Sequence, residues 1–395
     1  MLVWYGVCGP CTGRVSLAQG TLALHKTHEK YDPVFMVWLG TWWVLVLCGH
    51  AVVHEGLVDN AAAFARCRHL PTLESTFHSH GVVFANGERW RQLRRFSLSV
   101  LRDFGMGRKS IESRIQEEAQ VLLKELRDTR EKPFDPTYLL SCAVSNIICS
   151  IVFGNRFDYR DSEFLELLRL MHESFWEEKS NPSSEFTLEN LELTTLNLFF
   201  AGTETVSSTL RYGFLMLMKH PHVQEKVHEE IDQVIGRDRA PTLEDRGRMP
   251  YTDAVIHEIQ RCSDLIPLNV PHRVTRDIVF RGISVASSDT DVYPLLSSVL
   301  HDPSVFKHPN AFNPTNFLDE SGRFKRNDAF VPFSSGKRLC LGEGLARMEL
   351  FLFLCTILQN LRLQPLQPLE QLSLEPLVFG FTKTPPFYQL CMVPR

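Results

Sequence analysis

The sequence predicts a mainly α protein, with a large helical body and a small β-sheet region at one side. Apolar residues recur at helical spacing through most of the chain after residue 87. Short β-branched and aromatic runs, typical of strands, occur at 34–48, 278–285, 290–295 and after residue 360. The 395 residues, 44% of them hydrophobic, are enough to bury a sizeable core. Helices are expected near 87–100, 108–129, 136–154, 161–175, 187–219, 221–236, 250–263 and 341–360.

The first predicted element is a buried β-hairpin between Pro33 and Gly49. This stretch carries no charge, but Gly40 and Thr41 divide it into two short β-branched and aromatic halves. The alternative is a membrane-spanning helix, for which 17 residues are at the short limit.

The segment 177–186 is the clearest linker, with one proline and three serines between two helical patterns. The helix predicted after it has a single charged residue, Glu204, between Glu192 and Arg211. A helix that is apolar almost all round is expected to cross the middle of the protein.

Charge and cysteine content exclude several classes of protein. Lys and Arg number 42 against 46 Asp and Glu, so no overall positive field favours nucleic acid. The ten cysteines are scattered, which argues against a disulfide framework and for a reducing compartment. Cys8 and Cys11 have the spacing of a redox dithiol, but only seven residues precede Cys8, which leaves little room for the strand that such a site needs.

The strongest candidate for chemistry is Cys340, in "FVPFSSGKRLCLGEGLA". It stands just before a predicted helix and follows Lys337 and Arg338, a setting that favours a thiolate. Zinc needs four ligands, whereas haem iron needs one strong protein ligand. Gly336 and Gly342 allow tight turns beside a flat cofactor, and Arg338 is a candidate partner for a carboxylate on its edge. The alternative is a small buried thiol without a function.

In the predicted core helix, "FFAGTETVSST" places Gly202, Glu204 and Thr205 among apolar residues. An acid and a hydroxyl beside a glycine that lets the helix widen would form a groove and a proton relay. The alternative is a threonine that bonds back to its own helix and a glutamate on a surface stripe.

Three further pairs are candidates for the same site. Trp90 and Arg94 share a helix face and are donors that a buried carboxylate could use, unless that face is simply solvated. Glu258 and Arg261 share a face at i, i+3 and are interpreted as a buried structural pair. His272 and Arg273 follow a proline-rich bend that either reaches the cofactor edge or is a free turn.

A positive surface is expected around the helix of Trp90, where it would dock an acidic protein or have no role. It comprises Arg89, Arg91, Arg95, Arg108 and Lys109.

In this order, the motifs resemble those of the cytochrome P-450 superfamily of haem-thiolate monooxygenases. The pattern F-x-x-G-x-R-x-C-x-G is complete from Phe333 to Gly342, and "AGTET" is similar to the oxygen-activation motif. The resemblance runs from about Tyr31 to the C-terminus and is greatest to microsomal family-two enzymes.

The resemblance implies a cytochrome P-450 fold and haem b with Cys340 as the thiolate ligand. Thr205 and Glu204 would guide protons, and Trp90, Arg94, His272 and Arg338 would hold the haem propionates, with Phe333 and Gly342 shaping the loop. An apolar substrate pocket would be lined by Phe84, Phe200, Ala201, Leu268, Val270 and Phe379.

It further implies an enzyme that adds one oxygen atom of O₂ to xenobiotics, fatty acids or steroids. Electrons would come from NADPH through a flavin reductase at the endoplasmic reticulum membrane, on its cytosolic face. Nucleic acid is not an expected partner.

The sequence departs from that family in several places. Residues 1–30 show no recognisable membrane anchor, which leaves a cytoplasmic location open, and 31–395 form one predicted haem-binding domain with an internal deletion near 175–176. The family's lid helices would fall there. Asn316 replaces an arginine or histidine, and "SVASSDT" replaces a Pro-Lys-Gly turn. The second hypothesis is therefore a truncated, inactive relative or splice variant.

Overall fold

A computed structural model describes most of the chain. The described residues are 24, 27–28, 32–39, 42–68, 80–103, 109–166, 188–288, 290–379 and 382–395. Cys8, Cys11, Arg108 and the linker at 177–186 lie outside them, and only the backbones of Lys109 and Phe379 are described.

Long helices form the body of the protein, as predicted. The α-helices are α1 (His50–His54), α2 (Gly81–Phe84), α3 (Gly87–Asp103), α4 (Lys109–Asp128), α5 (Thr137–Val152), α6 (Leu188–Lys219), α7 (Pro221–Val234), α8 (Leu243–Arg246), α9 (Pro250–Ser263), α10 (Leu296–Leu300) and α11 (Glu343–Asn360). The helix expected at 161–175 is seen at 162–166, and the rest of it lies outside the described residues. The short helices α1, α2, α8 and α10 were not predicted.

Local signals explain where several helices begin and end. Pro221 and Pro250 occupy the first turns of α7 and α9, where a missing N–H costs nothing. Thr242 and Asp245 form a reciprocal capping box at α8. Helix α9 ends at Asp264, whose φ of 43° turns the chain out of the helix.

The strands form several small sheets, and the hairpin predicted at 34–48 is confirmed. The strands are β1 (Val34–Leu39), β2 (Trp42–Leu47), β3 (Arg66–Cys67), β4 (His272–Arg273), β5 (Ile278–Phe280), β6 (Ile283–Val285), β7 (Thr290–Pro294), β8 (Leu361–Pro365), β9 (Val378–Phe379), β10 (Lys383–Thr384) and β11 (Leu390–Pro394). The main sheet has the order β1-β2-β7-β4-β3, with β2 and β7 parallel. Through the described part of the chain, no helix combines the length and apolar character needed to cross a membrane.

Helices α4, α5, α6 and α11 surround the main core. Helix α6 is buried all round from Val206 to Met218, as its apolar sequence predicts. The expected widening at Gly202 was wrong. The helix is continuous there, and a Cβ on Gly202 would lie 2.6 Å from Cδ1 of Ile148, so the glycine lets α5 pack closely against α6.

Candidate functional site

The loop from Phe333 to Gly342 is held in shape by its own backbone. Gly336 has φ of 72°, and a Cβ on it would overlap the carbonyl group of Leu57, so both conformation and contact require glycine. The N–H of Leu339 donates to the oxygen of Gly336 at 3.2 Å, and that of Cys340 donates to the oxygen of Phe333 at 2.9 Å. Cys340 is thereby placed two residues before Gly342, the N-cap of α11.

The side chain of Cys340 is exposed, unlike most of the described cysteines. Surrounding protein nevertheless raises the pKa of its thiol by desolvation, and the charge of Glu343 adds to this. The N–H groups of Gly342 and Glu343 and the cation of Arg94 lower the pKa by less. The N–H groups at the start of α11 thus lower the thiol pKa, as the sequence predicts, but desolvation outweighs them, so a bound cation would have to displace the proton.

Arg338, in the same loop, has no carboxylate partner among the described residues. It donates to the carbonyls of Ala65, Val83 and Ala85 at 2.8–3.1 Å and to the side chain of Asn86 at 2.9 Å. Its guanidinium carbon lies 4.0 Å from the ring centroid of Trp90. Four of its five N–H groups are thus used by protein.

Arg94 is the second cation at this place. It donates to the carbonyl of Leu339 at 2.6 Å, its guanidinium carbon lies 5.9 Å from the Trp90 ring, and no described carboxylate forms an ion pair with it. Burial lowers the pKa of Arg94 and holds that of Arg338 at about 10, the latter helped by repulsion from Arg94. Two desolvated cations without an acid form a site that an anionic group would stabilise.

His272 is fully buried near Arg338. Its Nδ1 lies 2.6 Å from the oxygen of Phe64, and its Nε2 lies 3.4 Å from Nδ2 of Asn269. Burial, with a smaller contribution from Arg338, lowers the His272 pKa to about 4, so the ring is neutral near pH 7. Arg273 instead pairs with the buried Asp291 at 2.8 Å.

Glu258 and Arg261 form a fully buried ion pair with two contacts of 2.8 Å. Arg261 also donates to four backbone carbonyls, those of Leu300, His308, Pro309 and Ala311. Asn316 donates to Glu258 at 3.0 Å, so a neutral amide completes the network at the position where the sequence departs from the family.

The acid and hydroxyl of α6 are partly exposed and bonded within the helix. The Thr205 hydroxyl donates to the carbonyl of Ala201 at 2.7 Å, and Ser208 donates to Glu204 at 3.0 Å. This is the back-bonded arrangement considered as the alternative. It leaves the lone pairs of Thr205 available as acceptors.

The predicted pocket residues differ in their surroundings. Ala201 is exposed on a helix that is otherwise mostly buried, and Phe84, Phe200 and Val270 are partly buried. Leu268 is 8% exposed and packs in a core cluster with residues of the hairpin. The pocket prediction therefore rests on Ala201 and its neighbours more than on Leu268.

The predicted basic surface is only partly supported. Arg91 and Arg95 are exposed, but Arg91 pairs with Glu88 at 3.0 Å, so its positive charge is partly neutralised. Lys337 in the Cys340 loop adds one exposed cation.

Comparison with known proteins identifies the family. The family model "Cytochrome P450" matches residues 10–182 and 173–392. The chain belongs to the cytochrome P450 family. It is 51% identical to cytochrome P450 2G1 of Oryctolagus cuniculus, over 94% of this chain and 88% of that protein. It is 48% identical to cytochrome P450 2B2 of Rattus norvegicus and to cytochrome P450 2A13 of Homo sapiens, over 94% of this chain and 89% of each relative.

Membership confirms the predicted fold class and family-two resemblance. Cytochrome P450 enzymes are monooxygenases that use haem with a cysteine thiolate as the axial ligand, and microsomal location is typical of the family-two relatives. The residues present fit such a group, because an exposed thiol and two cations without an acidic partner adjoin the same loop.

Sequence reasoning missed the residues that support the site but lie far from it in the sequence. The carbonyls that accept hydrogen bonds from Arg338 belong to residues between 65 and 86. The Leu57 carbonyl, which excludes a side chain at position 336, lies in a π-helical turn, Glu55–Asp59. A main-chain carbonyl carries no signal in the sequence.

Proposed function

We propose that this chain is a haem-thiolate monooxygenase for apolar small molecules, such as xenobiotics, fatty acids or steroids. Electrons would come from NADPH through a flavin reductase. The observation that carries the proposal is the loop geometry, in which an exposed Cys340 thiol stands beside Arg94 and Arg338, two cations that lack an acidic partner.

The proposed roles follow from the contacts of each side chain. Cys340 provides the thiolate, and haem iron held by such a ligand supplies oxygen activation. Arg94 and the last N–H of Arg338 would bind the carboxylates of haem, and the Trp90 ring packs against the guanidinium of Arg338. His272 would join them by giving up a protein contact, since both ring nitrogens face protein groups. Glu258 and Arg261 are proposed to have a structural role, since they hold the segment 308–313 against α9.

Thr205 and Glu204 are proposed to hold the protons that oxygen activation requires. The Thr205 hydroxyl donates to Ala201 and keeps lone pairs with which it would accept a hydrogen bond, and the partly exposed Glu204 carboxylate would exchange protons with solvent. The exposed Ala201 one helical turn earlier leaves room for substrate beside them. Phe84, Phe200, Val270, Leu268 and Phe379 complete the proposed pocket.

A truncated, inactive relative is the second candidate, and one observation favours it. The family model matches in two pieces that overlap at 173–182, and the alignment to the rabbit relative spans 436 positions, more than the 395 residues of this chain. Both support an internal deletion near 175–176 within a single domain. Water would enter such a site more freely, and electrons would be lost without product.

A reductase is proposed to dock on the Cys340 side, where Arg91, Arg95 and Lys337 are exposed. Location at the cytosolic face of the endoplasmic reticulum membrane is proposed from the microsomal relatives.

The deciding experiment is the carbon monoxide difference spectrum of the reduced, haem-supplied protein beside Cys340→Ala. A strongly red-shifted Soret band that the variant lacks would support the ligand assignment. Product formed in step with NADPH oxidation would then separate the active enzyme from the truncated relative. A wild-type protein without that band would overturn the proposal.

A further inference from the structure

The hairpin of β9 and β10 is too small to hold its own position. Two residues pair with two, Phe379 with Lys383 and Val378 with Thr384, and the N–H of Leu377 adds a bond of 3.0 Å to the oxygen of Thr384. An isolated two-stranded ribbon of this length is marginal in water, so its orientation depends on outside contacts.

Lys383 supplies two such contacts, both at the C-terminal end of α9. Its ammonium group lies 2.5 Å from Oδ2 of Asp264, and its N–H donates to the oxygen of Leu265 at 2.9 Å. The backbone contact fixes one residue, and the ion pair fixes the direction of the side chain.

The Asp264 carboxylate is fully buried, so it needs a cationic partner. Its Oδ2 also accepts the hydroxyl of Ser297 at 2.6 Å, while its Oδ1 has no hydrogen-bond partner. No other cation of the described chain forms an ion pair with it. Without Lys383, a buried carboxylate would lose its ion-pair partner, so the hairpin is held by a contact that the core cannot easily give up.

The two ends of this contact carry the proposed pocket. Asp264 leads directly into the segment 265–270, which ends at the partly buried Val270, and Lys383 is the strand partner of Phe379. We propose that the Asp264–Lys383 ion pair positions the β9–β10 hairpin against the segment 265–270 and thereby selects which atom of an apolar substrate is oxidised. This inference rests on the proposed function, and both residues act as positioning residues.

The test compares Lys383→Met with Lys383→Arg in the full-length, haem-supplied protein. Lys383→Met keeps the length of the side chain without its charge, and Lys383→Arg keeps the charge. Asp264→Asn combined with Lys383→Met removes both charges, so that misfolding caused by a lone buried carboxylate is avoided. Lys307→Met is the matched control, since Lys307 is exposed and lies far along the chain from either residue.

Two measurements are made on each variant. Hydrogen exchange of peptides covering 377–385 is expected to quicken about tenfold in Lys383→Met and in the double variant. The Kd of 7-ethoxycoumarin, followed by its fluorescence, is expected to rise about fivefold in the same two variants, since small misplacements of a pocket wall weaken binding. Lys383→Arg and Lys307→Met should match the wild type in both.

Where the protein turns over, the ratio of positional products of a fatty acid should change by about threefold or more in the two charge-removing variants. Unchanged hydrogen exchange, or faster exchange with unchanged ligand affinity, would overturn the proposal. Failure of the haem assignment is distinguishable, because it would remove the Soret band from every protein in the set while leaving the exchange comparison intact.

Discussion

The Cys340 loop and the first half of α6 were both predicted to form the site, and the structure supports them very differently. In the loop, Arg338 donates four N–H groups to protein acceptors, and on α9 the predicted Glu258–Arg261 pair is fully buried. On α6, Leu191 is 57% exposed and Ala201 is open to solvent. The loop of Cys340 is therefore fixed by hydrogen bonds to buried protein groups, whereas the first half of α6 is more open to solvent, and we expect the two regions to differ in local stability.

The substitution Arg261→Leu is expected to have the largest effect on stability. Removal of one partner from a buried pair leaves the Glu258 carboxylate uncompensated and should lower the free energy of unfolding by about 3–5 kcal/mol. Urea unfolding followed by circular dichroism measures it. Arg323→Leu is the control, because its pair with Asp319 is exposed and is expected to contribute about 0–1 kcal/mol. Equal effects of the two substitutions would mean that the buried Glu258–Arg261 network does not stabilise the protein.

A second test separates contact from conformation at Gly336. Gly322 has a similar φ of 78°, with nothing within 4 Å of a Cβ, whereas a Cβ at 336 would overlap the Leu57 carbonyl. Gly322→Ala should cost about 1 kcal/mol from backbone strain alone. Gly336→Ala should cost about 3 kcal/mol or more, because backbone must also move. The same unfolding measurement, with haem content, checks both, and a Gly336→Ala protein as stable as Gly322→Ala would contradict the close packing of the loop.

The smallest effect on stability is expected on the exposed first half of α6. Leu191→Ala should change the free energy of unfolding by less than about 0.5 kcal/mol, since most of the side chain is already in water. Leu210→Ala, on the buried half of the same helix, should cost about 2–5 kcal/mol. A decrease of more than about 1 kcal/mol in the free energy of unfolding of Leu191→Ala would show that other parts of the chain cover this surface. The two regions would then differ less in stability than expected.

Periodicity was sufficient to predict the long helices and the N-terminal hairpin. Helix α9 begins and ends where Pro250 and the pattern after it indicate, and α6 is buried because almost no charge interrupts it. The motif also located the loop of Cys340. These features depend on neighbours in the sequence, and the sequence carries them directly.

What could not be predicted depends on contacts between distant residues. The packing of Gly202 against Ile148, the carbonyls that bind Arg338 and the Asp264–Lys383 pair each join segments far apart in the chain. The desolvation that raises the pKa of the Cys340 thiol is a further example, since it comes from surrounding protein that the local sequence does not reveal.

The parallel pairing of β2 with β7 constrains how the protein is made. Trp43 pairs with Thr290, so the hairpin leaves the ribosome about 250 residues before its sheet partner. At ordinary synthesis rates that interval is roughly 12–50 s. During it, the edge of "WWVLVL" is available to any other strand, including one from a neighbouring nascent chain. Slower translation between these two points is therefore expected to lower the soluble yield of this protein, independently of how stable the finished molecule is.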